Sequence, residues 1–296
     1  MSKILGILLI GLAVVLILEK QSAKNSFVTE RKLKEISEQY SDYKANIGIG
    51  YADSQITYRN NSKKYPLLSV FKLHIAVAVL DKVNREKLNL DTKLEILQTD
   101  IKENTYSPLR EKYGTNDIEL SLREILYYMV SESDNNACDI LINWVGGIDS
   151  VERYIHKIGL PETEIKVTED TMNHDDMTQY QNQAPLHEIL ALLKKIDEKK
   201  LFSEDLHKEL LSMMQSTVTG ANKIKGTLPK SAKVAHKTGS SSRLRDGKKI
   251  ADNDVAIISI GNKKYYLAIM VTDSYESDET NAEIIAKISQ QIYMLQ

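Results

Sequence analysis

Strand-forming runs stand near both ends of this chain, and the long middle is helical. Residues 46–52 (NIGIGYA) and 55–59 alternate along their length, the two-residue period of a hairpin. Residues 233–238, 255–260 and 265–272 are short β-rich runs, and Gly261-Asn262-Lys263-Lys264 supplies a turn between the last two. Between these groups the period is helical. Apolar positions recur at helix spacing over 70–83, 121–130, 136–145, 149–158, 186–199 and 203–214, and helices over 29–40 and 279–294 flank the strands. A sheet fed from both chain ends must close around whatever lies between. The order therefore predicts an α/β plus all-α fold: an antiparallel sheet flanked by helices, built from both ends, with a helical domain inserted and a cleft where the two meet. The expected division is 24–62 with 219–296 for the α/β sandwich and 63–218 for the helical domain.

The first residues have a different character. Met1-Ser2-Lys3 is a short basic start, and residues 4–18 carry no charge. That run is shorter than the ~20 residues of a membrane-spanning helix and fits the apolar core of a signal peptide, expected over 1–23. It implies an exported, periplasmic protein; no clean Ala-x-Ala site follows, so a retained anchor is the alternative. Cys138 is the only cysteine, so no intrachain disulfide can form. The six histidines show no metal-binding spacing: His187-Glu188 begins like a zinc motif, but position 191 is Ala. A net charge of −2 with lysines interspersed among acids gives no basic face for nucleic acid. No metal, cofactor or stable protein partner is implied, and a monomer is expected.

Three short motifs carry chemistry. Ser69-Val70-Phe71-Lys72 opens the most apolar helix, which puts the amine one turn from the hydroxyl and on the same face. An amine so placed can serve as the hydroxyl's base. The same spacing at Ser41-Asp42-Tyr43-Lys44 lies in a polar stretch that no apolar helix follows. Ser133-Asp134-Asn135 separates two helices and on its own reads as a helix cap. Lys237-Thr238-Gly239 ends a strand ahead of Ser240-Ser241-Ser242, where small residues let a ligand approach the backbone. In this order and context the trio is the known signature of class A β-lactamases and penicillin-binding proteins. The chain thus resembles the penicillin-recognising serine enzymes over essentially its whole mature length.

Glu169-Asp170-Thr171-Met172-Asn173 resembles the Glu-x-x-x-Asn segment of the class A omega loop and selects that class within the superfamily. Tyr106-Ser107-Pro108-Leu109 resembles the tyrosine-bearing loop at the cleft mouth, and 219–229 resembles the family's helix before the central strand. The Ser133–Asp139 stretch and the run Gln179-Tyr180-Gln181-Asn182 look most like the extended-spectrum subgroup of Bacteroidetes-type bacteria.

The resemblance implies hydrolysis of the β-lactam amide of penicillins and cephalosporins through an acyl-enzyme on Ser69, giving antibiotic resistance. Lys72, or Glu169 through a water, takes the serine proton. Ser133 passes a proton to the leaving nitrogen, with Lys237 beside it holding Lys72 neutral by like-charge repulsion. Backbone N–H groups of Ser69 and Ser240 face the developing oxyanion. Thr238, Ser240 and Lys223 take the substrate carboxylate, Asn135 bonds the acylamide side chain, and Tyr106 at the mouth and Gly239 are further substrate-binding residues. Glu169 and Asn173 hold the deacylating water. The alternatives are a D,D-peptidase and a membrane-anchored covalent β-lactam sensor, both of which lack the glutamate.

Two departures from the family pattern stand out. Val167 occupies the place of an arginine that usually pairs with an aspartate at the loop's far end, here Asn182, which leaves the loop's path open. Asp254 occupies the place of a strand arginine that helps bind the substrate carboxylate, and Lys223 is expected to supply the missing charge from the preceding helix.

Overall fold

The computed structural model describes residues 27–296, so the expected signal peptide lies outside the described residues, as does the apolar run at 4–18. Helix α1 covers 27–38. It leads into β1 (Asn46–Ala52), β2 (Thr57–Arg59) and a short β3 (Lys64–Pro66). The middle of the chain holds α2 (Lys72–Glu86), β4 (Lys93–Ile96), α3 (Pro108–Tyr113), β5 (Ile118–Ser121), α4 (Leu122–Ser131), α5 (Asn135–Trp144) and α6 (Ile148–Lys157). These are followed by α7 (Glu169–His174), β6 (Gln183–Pro185), α8 (Leu186–Asp197) and α9 (Glu204–Gln215). The chain returns through β7 (Lys233–Ser240), β8 (Lys249–Ile260) and β9 (Lys263–Ser274) to α10 (Asp278–Tyr293). Among the described residues no helix is long and apolar enough to cross a membrane.

The main sheet has the order β2-β1-β9-β8-β7, and all its pairings are antiparallel. The expected closure from both ends is thus a direct pairing of β1 with β9, Asn46 lying opposite Thr272 and Ala52 opposite Tyr266. The two-residue period sorts the strands' side chains between two cores. Val255, Ile257, Tyr266 and Ala268 join the large cluster of the helical middle. Ala256, Ile258, Tyr265 and Leu267 face the other way, onto Leu33 and Ile36 of α1 and Ile284, Ile285, Ile288 and Ile292 of α10. The alternation Ile47-Gly48-Ile49-Gly50 in β1 has a steric reason. A Cβ at Gly50 would lie 3.2 Å from Leu190 of α8, and one at Gly48 would lie 2.5 Å from the Tyr65 ring. The glycine face admits those neighbours, while Ile49 is buried on the opposite face.

The element boundaries differ from the sequence reading mainly where polar residues are buried. β8 starts at Lys249, six residues before the expected run, and takes in Asp252-Asn253-Asp254. All three side chains are buried, and each has a polar partner across the sheet or in the adjoining turns. The stretch 219–229, expected to be helical, contains only the 3₁₀ turn Ile224–Thr227. The segment from Glu169, read as loop, forms the short α7, capped by Thr168 accepting from the Thr171 amide at 3.3 Å.

Candidate active site

The cleft lies where β7 meets the start of α2 and the loop that carries α7. Ser69 sits in a 3₁₀ turn, Leu68–Phe71, which runs straight into α2. Leu68, just before it, has φ +47°, a left-handed conformation that costs a non-glycine residue of order 1–3 kcal/mol and persists only when neighbours enforce it. Two buried asparagines do so. The Leu67 N–H donates to the Asn182 carbonyl at 2.8 Å. From the other side, Asn253 Nδ2 donates to the carbonyls of Pro66 at 2.8 Å and Leu67 at 3.3 Å. Gly239 of β7 presses on the same turn: a Cβ there would stand 2.4 Å from Leu67 O and 3.1 Å from the Ser69 nitrogen. The glycine in Lys-Thr-Gly is therefore what lets the strand reach the serine.

Lys72 is fully buried, and its ammonium has three neighbours. It donates to Ser69 Oγ at 2.7 Å, to Asn135 Oδ1 at 2.8 Å and to a Glu169 carboxylate oxygen. An ammonium has three N–H donors, so this set saturates it. On the opposite side Lys237, also fully buried, donates to Ser133 Oγ at 2.7 Å and to Thr238 O at 3.1 Å. Burial, reinforced by the neighbouring charge of Lys72, pushes the Lys237 ammonium well below the usual lysine range. Ser133 has φ +61°, a second left-handed non-glycine residue at the site.

Helix α5 organises both lysines' partners. Asp134 caps it, accepting from the Ala137 amide at 2.8 Å; its carboxylate also takes the Leu109 amide at 2.7 Å and Ser107 Oγ at 2.8 Å, which ties the Tyr106 loop to the cap. Asn135 begins the helix, and Asp139 follows on the same face. The two oxygens of Asp139 accept the backbone amides of Glu169 at 2.9 Å and Asp170 at 2.8 Å. The sequence reading missed Asp139; its signal was the four-residue spacing from Asn135. Burial, reinforced by the Glu169 charge, pushes the Asp139 carboxyl up to about 7 against those two hydrogen bonds.

The path of the loop left open by Val167 is set by an amide in place of an ion pair. Asn182 is fully buried, and its Oδ1 accepts the Lys166 amide at 2.7 Å and the Val167 amide at 3.1 Å. Its Nδ2 returns a bond to Val167 O at 2.9 Å. Through its own carbonyl on Leu67, the same residue joins the Glu169 loop to the serine turn.

The remaining expected residues fall into two groups. Tyr106, Asn135, Glu169, Asn173 and Ser240 line a cleft of about 220 Å³. Tyr106 is exposed at its rim, and the Asn173 amide nitrogen donates to Asn104 O at 2.5 Å. Thr238 is buried beside it, 2.6 Å from Thr219 Oγ1. Lys223 is placed differently from expectation. It precedes the 3₁₀ turn, is buried, and forms an ion pair with Asp252, with a further bond to Asn253 O at 3.3 Å. Asp254 does lie opposite Thr238, where it accepts the Ile224 amide at 3.1 Å and stands 3.1 Å from His236 Nδ1. The second Ser-x-x-Lys copy has no such surroundings: Ser41 is exposed and donates to Glu38 O at 2.9 Å.

His187 and Glu188 do come together with Glu162, their ligand-type atoms within 4.8 Å of one another. Their hydrogen bonds already use those atoms. Glu188 accepts from the Glu162 amide at 3.0 Å and from Thr163 Oγ1 at 2.6 Å. His187 Nδ1 faces Arg59 Nη1 at 2.8 Å, and a guanidinium only donates, so the proton stays on Nε2, which faces Glu162.

A half-buried serine at a helix start, a saturated buried lysine beside it, a second serine–lysine pair and a carboxylate together make a site for acyl transfer through an ester. A profile of the β-lactamase enzyme family matches residues 29–296. A β-lactamase of Bacteroides uniformis is 45% identical over 254 residues, covering 84% of this chain and 86% of its own. The extended-spectrum β-lactamase PER-1 of Pseudomonas aeruginosa is 37% identical, with 86% and 83% covered. A class A β-lactamase structure from Bacteroides cellulosilyticus superimposes with a TM-score of 0.87 at 41% identity, over 90% of this chain and 98% of that one. The chain belongs to the β-lactamase enzyme family, in its class A branch.

Proposed function

We propose that this protein hydrolyses penicillins and cephalosporins, and so gives resistance to them, through an ester on Ser69. The observation that carries the reading is the Lys72 ammonium, which contacts Ser69 Oγ, Asn135 Oδ1 and the Glu169 carboxylate at once. Any proton leaving Ser69 passes into the Lys72–Glu169 pair: either Lys72 first hands a proton to the Glu169 carboxylate and then, as the neutral amine, takes the serine's, or the glutamate takes it through a water. The carbonyl oxygen becomes an anion between the backbone N–H groups of Ser69 and Ser240, which Gly239 brings together. Ser133, held by Lys237, returns a proton to the leaving nitrogen. Thr238 and Ser240 take the substrate carboxylate; the Lys223 charge acts there only through Asp252. Tyr106 and Asn135 bound the acylamide side. Glu169 then activates the water that cleaves the ester, and Asn173, with its Nδ2 on Asn104, offers Oδ1 to the same water.

The test is Glu169→Ala. The strained lactam still acylates Ser69, but the unstrained ester lacks its base, so hydrolysis slows by about 10²–10⁴-fold and a covalent adduct accumulates in intact-mass spectra. Ser69→Ala forms no adduct, whereas Ser41→Ala keeps full turnover. A stable adduct on the native protein, without turnover, identifies a covalent sensor or a D,D-peptidase instead. The N-terminal run further supports export to the periplasm with removal of residues 1–23, checked by N-terminal sequencing of the mature protein.

A further inference from the structure

The cations expected at the substrate carboxylate are engaged elsewhere. Lys223 is paired with Asp252, Lys237 donates to Ser133 Oγ and Thr238 O, and Asp254 stands opposite Thr238 where the family pattern has an arginine. Two hydroxyls meet at this place. Thr238 and Ser240 share one face of β7, and Ser240 is exposed and lines the cleft. The methyl of Thr238 packs on the loop after α9: Gly220 has φ +68°, and a Cβ there would stand 2.5 Å from Thr238 Cγ2. A β-branched side chain has few χ1 choices, so this contact also fixes the Thr238 hydroxyl, which lies 2.6 Å from Thr219 Oγ1. Thr219 is half-buried, and its neighbours are tied to the sheet and to α4: Thr217 Oγ1 donates to His236 O at 2.8 Å, and the Val218 N–H donates to Ser131 O at 3.0 Å. Among the described residues neither threonine hydroxyl has another hydrogen-bond partner. The pair thus holds two protons and uses one of them in its mutual bond.

We propose that Thr219 is a substrate-binding residue: its hydroxyl and that of Thr238 form a neutral fork that takes the two oxygens of the substrate carboxylate. The spacing of the hydroxyls is close to that of the two oxygens of one carboxylate, the match that a guanidinium otherwise provides. A carboxylate only accepts, so when it arrives the mutual bond opens and each threonine turns its proton outward. One neutral bond is given up and two charge-assisted bonds form, with no buried cation to desolvate. The inference rests on the β-lactamase reading of the Ser69 site and adds to it the residue that shares the carboxylate with Thr238.

The experiment measures kcat and KM for benzylpenicillin with Thr219→Val, which keeps the shape and removes the hydroxyl, and with Thr219→Ser, which keeps the hydroxyl. The carboxylate is held alike in the bound substrate, the transition state and the ester, so the loss is one of uniform binding. Thr219→Val is expected to raise KM about tenfold, the worth of a charge-assisted bond less the threonine–threonine bond it replaces, while kcat stays within about twofold. Thr219→Ser recovers most of that loss. A native KM in Thr219→Val overturns the proposal. A fall in kcat at unchanged KM, or a loss in Thr219→Ser as large as in Thr219→Val, assigns Thr219 to holding the loop and overturns it too. Should Thr219→Val fail to fold, Thr219→Cys, whose thiol is a weak donor, is judged by the same criteria. A native protein that does not turn over benzylpenicillin overturns the β-lactamase reading, and this one with it.

Discussion

Lys72, Lys237 and Lys223 are all buried, and each is held by a different set of partners. Lys72 is tied to Ser69, Asn135 and Glu169, Lys237 to Ser133, and Lys223 to Asp252. The sequence assigns Lys223 to the substrate carboxylate because only the charge is visible there; its partner lies 29 residues further on, in a strand extension that the polar run 252–254 conceals. Removing it leaves Asp252 buried, with Lys249 at 3.5 Å as its remaining counter-charge. Lys223→Ala is therefore expected to lower folding stability by about 3 kcal/mol, the lower end for a broken buried pair, with a smaller effect on kcat/KM. Urea unfolding beside steady-state kinetics checks it, and a large loss of kcat/KM at unchanged stability would restore the carboxylate role. Gly239 gives the opposite pattern. Gly239→Ala must move β7 or the serine turn to relieve the contact with Leu67 O, which in the proposed mechanism withdraws one oxyanion donor. The expected result is a folded protein with kcat reduced about 10²–10³-fold, seen as native circular dichroism with slow turnover.

At the scale of elements, α5 does more than its length suggests. Its cap holds the Tyr106 loop, its first residue holds Lys72, and Asp139 one turn later holds the backbone of Glu169. Asp139 also makes stability depend on pH. Its folded pKa, about 7, lies above the ~3.9 of an unfolded aspartate, so the folded chain binds the proton more tightly. The resulting stability is complete below the unfolded value and is lost as pH rises through about 7. Asp139→Asn removes this term, so urea midpoints of the native protein should fall, relative to those of the variant, between about pH 4 and 7 and level off above that; parallel profiles would contradict it. The variant keeps one acceptor oxygen for two amides, so its deacylation slows as well.

The long elements and the motifs that meet at the cleft were legible in the sequence, because period and spacing are local properties. The residues that position them were not. Asn182, Asn253 and Asp139 act through backbone atoms distant in sequence, and an asparagine that will clamp a turn looks like any loop asparagine. The ribbons β3–β6 and β4–β5 escaped for a related reason: three or four residues are too few to show a period, and each strand exists only through its distant partner.

For the whole molecule, the sheet's closure across the two ends sets the order of events. β1 lies between β2 and β9, so its second ladder waits for a partner more than two hundred residues away in sequence. Such non-local pairing makes folding slow, and refolding from denaturant should show hydrogen-exchange protection of β1, β9, β8 and β7 returning together in one late phase. Early β-structure before the helical signal would argue against this. The pairing also bears on incomplete chains. A polypeptide that ends before residue 274 lacks all or part of β9, and without β9 the β1–β2 hairpin has no link to β8 and β7, whose Gly239 presses on the serine turn. Ribosomal stalling or proteolytic loss of the tail thus yields an inert product and not a half-competent one: the catalyst reads out the completeness of its own synthesis.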